Sequence, residues 1–355
     1  MPNHSRLNLF DLLRFLAAIF VIYSHSFPLL NLGNNHGTDL AHQIWPFTDA
    51  GAIGVYIFFT ISGFLNAKSV AKNPPSVFYI NRCLRIFPGL LVALLFTVFI
   101  IGPLCTTVPL GTYFTSMQTW LYLSYTELLL PGHSTLPGVF DNNLYKNAVN
   151  GSLWTLRIEF ILYLLLPLVI NISPKKSISA LLPTIFFLIL YFASAHSGLI
   201  VINNNMLNML NAVSANAFFF FAGAAIARLN LGNASMRQII ILFLLILVTA
   251  RFSFAPLVFF ILLPLLIIKT GSIETRTLIL KNDISYGLYI YAFPIQQTTY
   301  HFLSTSLSPA ILALLACIAT TIPAILSWFF IEKPILTNRN LITAKIHGLK
   351  WVSIR

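Results

Sequence analysis

The residues with the clearest chemical potential lie inside an apolar stretch near the start of the chain. The sequence DLLRFLAAIFVIYSHSF, residues 11–27, is apolar enough for a membrane helix but contains Asp11, Arg14 and His25. At about 100° per residue, Arg14 and His25 lie within roughly 20° of each other around a helix and about 16 Å apart along it. Asp11 shares that face because it precedes Arg14 by three residues. Charged groups inside a bilayer usually face a bundle interior or a water-filled route, so this stripe predicts a functional site. Two structural explanations stay open: Asp11 as a local ion pair of Arg14, and His25 as an interfacial histidine.

Two further carboxylates occur in apolar surroundings. Glu159 lies in SLWTLRIEFILYLLLP, where Tyr163 follows it by one helical turn and Ser152 and Thr155 precede it on the same side. A glutamate in such a helix predicts function, with Arg14 or His25 as its expected partner. Glu332 lies in WFFIEKP, where a plain helix end at the membrane interface is the alternative.

Arg82 and Arg85 mark a candidate phosphate site in FYINRCLRIFP. Three residues apart, they share one helix face, and guanidinium groups bind phosphate in a bidentate manner. The alternative is that they are charges that only set membrane topology. The preceding stretch GAIGVYIFFTISGFL contains Gly51, Gly54 and Gly63, which permit close approach by another helix or by a ligand.

The composition indicates a membrane protein. Of its 355 residues, 57% are hydrophobic and 8% are charged, and the mean hydropathy is +0.82. Windows of about 20 apolar residues, the length that spans a bilayer, predict an all-α polytopic protein with about ten transmembrane helices. The ranges are 8–30, 51–68, 86–104, 152–171, 178–195, 208–228, 236–250, 252–270, 283–304 and 309–331.

The distribution of positive charge predicts the orientation, because Lys and Arg collect in cytoplasmic loops. With the N-terminus inside, both termini are cytoplasmic, and the ranges 31–50 and 305–308, predicted to be outside, contain no Lys or Arg. A crossing by segment 104–150 would place Lys175 and Lys176 outside, so this segment is interpreted as interfacial or re-entrant. The net charge of +12 fits contact with anionic lipid of the bilayer and, without an aromatic-interleaved basic patch, does not indicate nucleic acid. Of the 21 bases, seventeen are predicted to be cytoplasmic: Arg6, Lys68, Lys72, Arg82, Arg85, Lys175, Lys176, Arg228, Arg237, Lys269, Arg276, Lys281, Lys333, Arg339, Lys345, Lys350 and Arg355.

Three scattered cysteines, Cys83, Cys105 and Cys317, show no disulfide framework or metal-ligand spacing. No metal site is therefore expected. Asp11 and Arg14 interrupt the core that a signal peptide would need, so the first helix is expected to stay attached.

Taken together, the motifs resemble the membrane-embedded acyltransferase family 3. They are the Arg and His of the first helix, GAIGVYIFFTISGFL, FYINRCLRIFP, SLWTLRIEF and ISYGLYIYAFPIQQ, and they occur in the family's order. The resemblance implies a domain over residues 1–335, followed by a short basic cytoplasmic tail, 336–355. Phe15 departs from the family pattern, where a glycine is expected.

The resemblance also implies a function. Members transfer acetyl or other acyl groups to hydroxyl groups of envelope glycans such as lipopolysaccharide O-antigen or exopolysaccharide, with acetyl-CoA as the typical donor, in the bacterial inner membrane. It implies that His25 is the essential histidine, with Arg14 as its motif partner. Arg82 and Arg85 fill the paired-arginine motif, and Glu159 and Glu332 occupy acidic motif positions.

The resulting hypothesis places the CoA phosphates at Arg82 and Arg85, with the pantetheine arm extending past Arg14 towards His25. His25 then acts either as general base on the acceptor hydroxyl or as the acyl carrier. A polytopic transporter or flippase is the alternative class. No inverted repeat supports that class, and release of free CoA thiol would distinguish the two.

Overall fold

The computed structural model shows a chain built mainly of helices. It describes residues 7–30, 39–126, 134–146, 148–170, 176–195, 204–233, 235–275, 282–303 and 307–346. The short strands β1 (Leu7–Asn8) and β2 (Glu274–Thr275) pair antiparallel. The coarse prediction of an all-α membrane fold is confirmed. The α-helices are α1 (Phe10–Leu29), α2 (Leu40–Ile44), α3 (Ala50–Val70), α4 (Pro75–Phe96), α5 (Gly102–Cys105), α6 (Leu110–Thr115), α7 (Met117–Leu121), α8 (Trp154–Ile170), α9 (Lys176–Ala195), α10 (Asn204–Arg228), α11 (Met236–Val248), α12 (Ala255–Gly271), α13 (Ser285–Leu303), α14 (Pro309–Ser327), α15 (Lys333–Thr337) and α16 (Arg339–Ile346).

Each of the ten ranges predicted as membrane helices overlaps a helix, although α4 begins at Pro75, before the range 86–104. A π-helical turn, Thr97–Ile101, joins α4 to α5, and another, Trp328–Glu332, joins α14 to α15. The number of crossings and the cytoplasmic placement of both termini stay predictions. By length and composition, six helical stretches of the described chain are suited to cross a bilayer: Phe10–Leu29, Ala50–Val70, Pro75–Cys105, Ile178–Ala195, Met206–Arg228 and Pro309–Thr337.

The segment predicted to be interfacial, 104–150, contains only short helices within its described part. These are the end of α5, then α6, α7 and a 3₁₀ turn, Tyr122–Thr126. The Thr106 hydroxyl donates to the Pro137 carbonyl at 2.7 Å, and Thr106 and Val139 form an isolated antiparallel β-bridge. The described residues therefore include no helix here of the length that a crossing needs.

The predicted tail, 336–355, begins within α15 and includes α16, and its residues 347–355 lie outside the described chain. Six of the bases predicted to be cytoplasmic also lie outside it: Arg6, Lys175, Arg276, Lys281, Lys350 and Arg355.

Large apolar side chains are exposed along many of the helices. Leu168, Ile189, Val248 and Phe330 are 64%, 63%, 70% and 72% exposed. Apolar exposure on this scale indicates lipid as the surrounding solvent, because soluble proteins rarely leave such surfaces uncovered. Helices satisfy their own backbone hydrogen bonds, which is the condition for residence in a bilayer core.

The chain divides into two compact units, each described by itself. Unit 1 comprises Met1–Phe27, Leu32–Lys72 and Ile158–Lys281. Unit 2 comprises Pro28–Asn31, Asn73–Arg157 and Asn282–Arg355. The boundary runs through α8, so the two ends of that helix belong to different units.

In unit 1, glycines bring helix backbones into direct contact. A Cβ added at Gly63 of α3 would lie 1.8 Å from the carbonyl oxygen of Phe220 on α10. One added at Gly223 of α10 would lie 2.1 Å from the carbonyl oxygen of Thr60. Gly54 meets α1 in the same way, 2.5 Å from the Ala17 carbonyl oxygen. The glycines therefore serve helix packing, one of the two predicted roles.

In unit 2, α13 packs against α14 and carries the polar contacts that hold the loop before α8. Gly287 allows this packing, since an added Cβ would lie 2.9 Å from Ala324 Cα. The Asn143 amide donates to the Gln297 side-chain oxygen at 2.8 Å, and the Asn150 amide donates to the Ile290 carbonyl at 2.8 Å. Buried amides bonded in this way fix the loop on α13.

Candidate active site

The polar stripe of the first helix is present on α1. Arg14 Nη1 donates to Asp11 Oδ1 at 2.9 Å, with the two side chains 20% and 42% exposed. The local ion pair that the spacing allows is therefore formed. The Nδ1 atom of His25 is buried, which sets it apart from a freely solvated imidazole.

A carboxylate that the sequence analysis did not select fixes α1 beside His25. The Ser24 hydroxyl donates to Asp49 Oδ1 at 3.2 Å, and the same oxygen accepts from the Ala52 N–H at 2.7 Å. Asp49 is thus the N-cap of α3 and a tether to α1. The cap was recognisable, because an Asp immediately before an apolar helix is a start signal. The tether was not, because it joins residues 25 positions apart.

Glu159 lies in a hydrogen-bonded cluster between α3 and α8. The Ser62 hydroxyl donates to Glu159 Oε1 at 2.8 Å, and the Tyr163 hydroxyl donates to the same oxygen. Ser62 and Tyr163 lie 2.9 Å apart, and the Asn66 amide donates to Ser62 Oγ at 3.1 Å. The observed partners of Glu159 are thus two hydroxyls, in place of the predicted Arg14 or His25. Sequence analysis missed Ser62, which lies within the quoted glycine motif.

The polar strip predicted along one side of α8 divides at the unit boundary. Ser152 and Thr155 belong to unit 2, where the Thr155 hydroxyl meets the Tyr289 hydroxyl and Tyr289 also donates to the Ser152 carbonyl at 3.2 Å. Glu159 and Tyr163 belong to unit 1. Two separate clusters are therefore formed.

In unit 2, Arg85 joins two carboxylates. Its Nη2 lies 2.6 Å from Asp283 Oδ2, and its Nη1 lies 3.7 Å from Glu332 Oε2. The Glu332 side chain is 2% exposed, and its Oε1 accepts from the Ser327 hydroxyl at 2.9 Å. The guanidinium also lies 5.6 Å from the centre of the Tyr286 ring. Arg85 therefore stabilises a buried carboxylate, and a phosphate bound there would compete with Asp283 and Glu332.

The π-helical turn places Glu332 in this cluster. Trp328–Glu332 widens the helix between α14 and α15, and such turns often occur at functional sites. At the start of the turn, Trp328 Nε1 donates to Asn282 Oδ1 at 3.1 Å. Directly after its end, Lys333 Nζ donates to the same oxygen at 3.3 Å. The turn is held against the chain that leads into α13. The alternative of a plain helix end does not describe Glu332.

Arg82 lies on the same helix as Arg85. Its guanidinium lies 5.8 Å from the centre of the Phe78 ring, one helical turn earlier on α4. Asp283, a partner of Arg85, was missed by the sequence analysis. Among the described residues, no group of three His, Cys, Asp or Glu side chains suited to hold a metal ion is found.

The six predicted site residues fall into two groups. Arg14, His25 and Glu159 belong to unit 1, and Arg82, Arg85 and Glu332 belong to unit 2. Within each unit, buried polar groups on helices are tied by side-chain hydrogen bonds. This is the arrangement expected of reactive or positioning groups inside a membrane protein.

Comparison with known proteins supports the family that these motifs resemble. The acyltransferase domain of family 3 matches residues 7–329. An O-acetyl transferase of Shigella phage Sf6 is 28% identical over 343 residues, which cover 93% of this chain and 96% of that protein. Nodulation protein 10 of Rhizobium leguminosarum bv. viciae is 27% identical, covering 95% of each chain. No solved structure matches the chain.

The match extends over nearly the whole chain and includes both compact units. The matched range contains every quoted motif except the end of WFFIEKP, which includes Glu332. The resemblance therefore does not depend on one short pattern. The chain belongs to acyltransferase family 3 and is a multi-pass membrane O-acyltransferase.

Proposed function

We propose that this enzyme transfers an acetyl group from acetyl-CoA to a hydroxyl of an envelope polysaccharide in the bacterial inner membrane. The observation that carries the proposal is the similarity, along 93% of the chain, to a protein named O-acetyl transferase. The family motifs support the CoA donor and the glycan acceptor, such as an O-antigen or an exopolysaccharide. The transporter alternative lacks a comparable observation.

His25 is proposed as the group that handles the proton. As general base, its imidazole takes the proton of the acceptor hydroxyl while the hydroxyl oxygen attacks the thioester carbonyl carbon. The carbon–sulfur bond then breaks, and the thiolate takes a proton from the imidazolium to leave as free CoA thiol. Imidazole suits both transfers because it changes protonation near neutral pH.

The same residue also suits a two-step route. The imidazole attacks the thioester carbonyl carbon, the carbon–sulfur bond breaks, and the thiolate takes the ring N–H proton to leave as CoA thiol. The acceptor hydroxyl then attacks the carbonyl carbon of the acetylated ring, and its proton returns to the ring as the carbon–nitrogen bond breaks. Both routes use the same atoms and give the same products. Trapping an acetylated protein from labelled acetyl-CoA without acceptor separates them.

The other predicted residues are proposed to position or bind. Arg14 supplies positive charge on the helix face of His25, where it also pairs with Asp11. Glu159, held by Ser62 and Tyr163, orients groups within unit 1. In unit 2, Arg82 is proposed to bind donor phosphate, whereas Arg85 mainly holds Glu332 and Asp283.

The test is O-acetylation of surface glycan in cells that lack the native gene and carry wild-type protein, His25→Ala or His42→Ala. His42 provides a matched histidine, because it lies outside the predicted site with its Nδ1 3.1 Å from the Thr48 carbonyl oxygen. We expect His25→Ala to lose at least 10²-fold in rate, the usual contribution of general acid–base catalysis. His42→Ala should retain activity at equal membrane levels.

The outcome at His25 decides the role of that residue. Equal O-acetylation by wild type and His25→Ala would remove it from the chemistry. Absence of O-acetylation by well-inserted wild type would remove the proposed acceptor. In membranes, thiol release from acetyl-CoA that depends on added acceptor identifies an enzyme rather than a transporter.

A further inference from the structure

Unit 1 contains an open cleft of about 580 Å³ that no predicted site residue lines. A volume in this range is typical of small-molecule sites. The cleft is formed by the ends of α3, α10 and α12, the start of α11 and the chain beside β2. Its lining residues are Phe64, Lys68, Ile226, Ala227, Asn230, Gly232, Asn233, Met236, Ser272, Ile273 and Glu274.

The cleft lies at the end of unit 1 where α1 begins. The ring of Phe64, in the cleft wall, lies 5.7 Å from that of Phe10 at the first residue of α1. The Leu9 N–H donates to the Gly271 carbonyl at 3.0 Å, next to the lining residue Ser272. Arg14 is one turn further along α1. The sequence predicts that this end faces the cytoplasm, where CoA is available.

Positive charge gathers at the cleft. Lys68 lines the cleft, with its Nζ 4.0 Å from the centre of the Phe64 ring. Lys72 is close enough to interact electrostatically with Lys68. Lys269 Nζ donates to the carbonyl of the lining residue Asn233 at 2.9 Å. Among the lining residues, Lys68 and Glu274 carry one charge each, so the positive excess comes from Lys269 and Lys72 beside the lining. This excess favours an anionic ligand.

The start of α11 also borders the cleft, because its first residue, Met236, lines it. The helix has 13 residues and begins at Met236, and the preceding Ser235 makes no side-chain cap hydrogen bond. The first N–H groups of a helix have no partner within it and attract anions. Together with Lys68, they provide the charge and the donors that a phosphate group requires.

We propose that this cleft binds phosphate groups, with the nucleotide portion of CoA as one source and the headgroup of an anionic lipid as the other. The first source rests on the proposed function. The apolar wall at Ile226, Ala227 and Ile273 suits a nucleotide base, and Asn230 and Ser272 offer polar contacts to a sugar.

Two variants and two controls test the cleft in the full chain. Lys68→Ala removes the lining cation, and Asn233→Trp fills the cleft with an exposed loop side chain while the Asn233 carbonyl remains for Lys269. The controls are Lys345→Ala and Asn340→Trp, both exposed residues of α16 outside the cleft. Binding of adenosine 3′,5′-bisphosphate is titrated in nanodiscs of phosphatidylcholine. The lipid interaction is measured as the rise in unfolding temperature when phosphatidylglycerol replaces part of the phosphatidylcholine in the nanodiscs.

We expect Lys68→Ala to weaken one of these two interactions about tenfold, the usual effect of losing a charge-assisted hydrogen bond. Asn233→Trp should abolish the same interaction, and both controls should match wild type. A change in nucleotide binding assigns the cleft to CoA, and a change in lipid protection assigns it to a headgroup. If both variants keep wild-type behaviour in both assays, the proposal is wrong. The probes carry no acyl group, so failure of glycan O-acetylation would leave this result unaffected.

Discussion

At the scale of the residue, the arrangement around Arg85 determines what substitutions there will do. Glu332 is almost fully buried and faces Arg85 at 3.7 Å, so removal of the guanidinium leaves a buried charge without its counter-ion. Such a loss costs about 3–5 kcal/mol. Arg85→Ala should therefore lower the unfolding temperature of the purified protein and its level in membranes.

The double variant Arg85→Ala with Glu332→Gln distinguishes a stabilising role of Arg85 from a phosphate-binding role. A neutral amide no longer needs the guanidinium, so the double variant should unfold closer to wild type than Arg85→Ala does. Arg82→Ala on the same helix is the comparison, and thermal unfolding in detergent is the measurement. If the double variant unfolds below Arg85→Ala, the pair with Glu332 does not stabilise unit 2.

The carboxylate of Glu159 is satisfied in a different way. Two hydroxyls and a nearby amide surround it, so hydrogen bonds from α3 and from its own helix stabilise the carboxylate. The same residue type in two apolar helices thus acquires two different environments. Spacing along one helix identifies Tyr163 as a neighbour of Glu159, but it contains no information about Ser62, which is 97 residues away.

At the scale of the element, the contact between α3 and α10 depends on two glycines. Gly63→Ala would place a methyl carbon 1.8 Å from the Phe220 carbonyl oxygen, so the helices must move apart. Overpacking of this kind costs about 1–3 kcal/mol. We expect Gly63→Ala to lower the unfolding temperature.

Gly111→Ala is the matched control, because an added Cβ at that helical glycine meets no heavy atom within 4 Å. Alanine is the better helix former by about 1 kcal/mol, so this variant should be neutral or slightly stabilised. Equal unfolding temperatures for the two variants would show that α3 and α10 do not depend on close backbone contact.

The positions of the helices were largely predictable, and their side-chain partners were not. A long apolar window is a local signal in the sequence, which is why each of the ten predicted ranges overlaps a helix. The bond between Arg85 and Asp283 joins residues 198 positions apart, and no local pattern selects that aspartate. The π-helical turn at Trp328–Glu332 likewise depends on packing, since an apolar run predicts a regular helix equally well.

At the scale of the whole molecule, the basic residues bear on the predicted orientation. Within unit 1, Lys68, Arg228, Arg237 and Lys269 lie at the ends of α3, α10, α11 and α12 that surround the start of α1. Arg251 lies at the opposite end of α11 and donates to the Gln43 carbonyl. This asymmetry is the one that orients membrane proteins, and it favours a cytoplasmic start of α1.

Single cysteines test that orientation in the full chain. In a variant whose Cys83, Cys105 and Cys317 are replaced by serine, Lys146→Cys and Lys345→Cys place one thiol each at exposed positions. Lys146 follows the third predicted crossing, 86–104, so the predicted orientation places it outside, whereas Lys345 is predicted to be cytoplasmic. We expect a membrane-impermeant maleimide to label the first thiol in intact spheroplasts, and to label the second only after lysis. Lysed cells control for reactivity, and retained glycan O-acetylation shows that the variant is inserted as the native protein is. Labelling of both thiols in intact spheroplasts would place the C-terminal helix outside, and the number of predicted crossings between positions 146 and 345 would then have to change by an odd number.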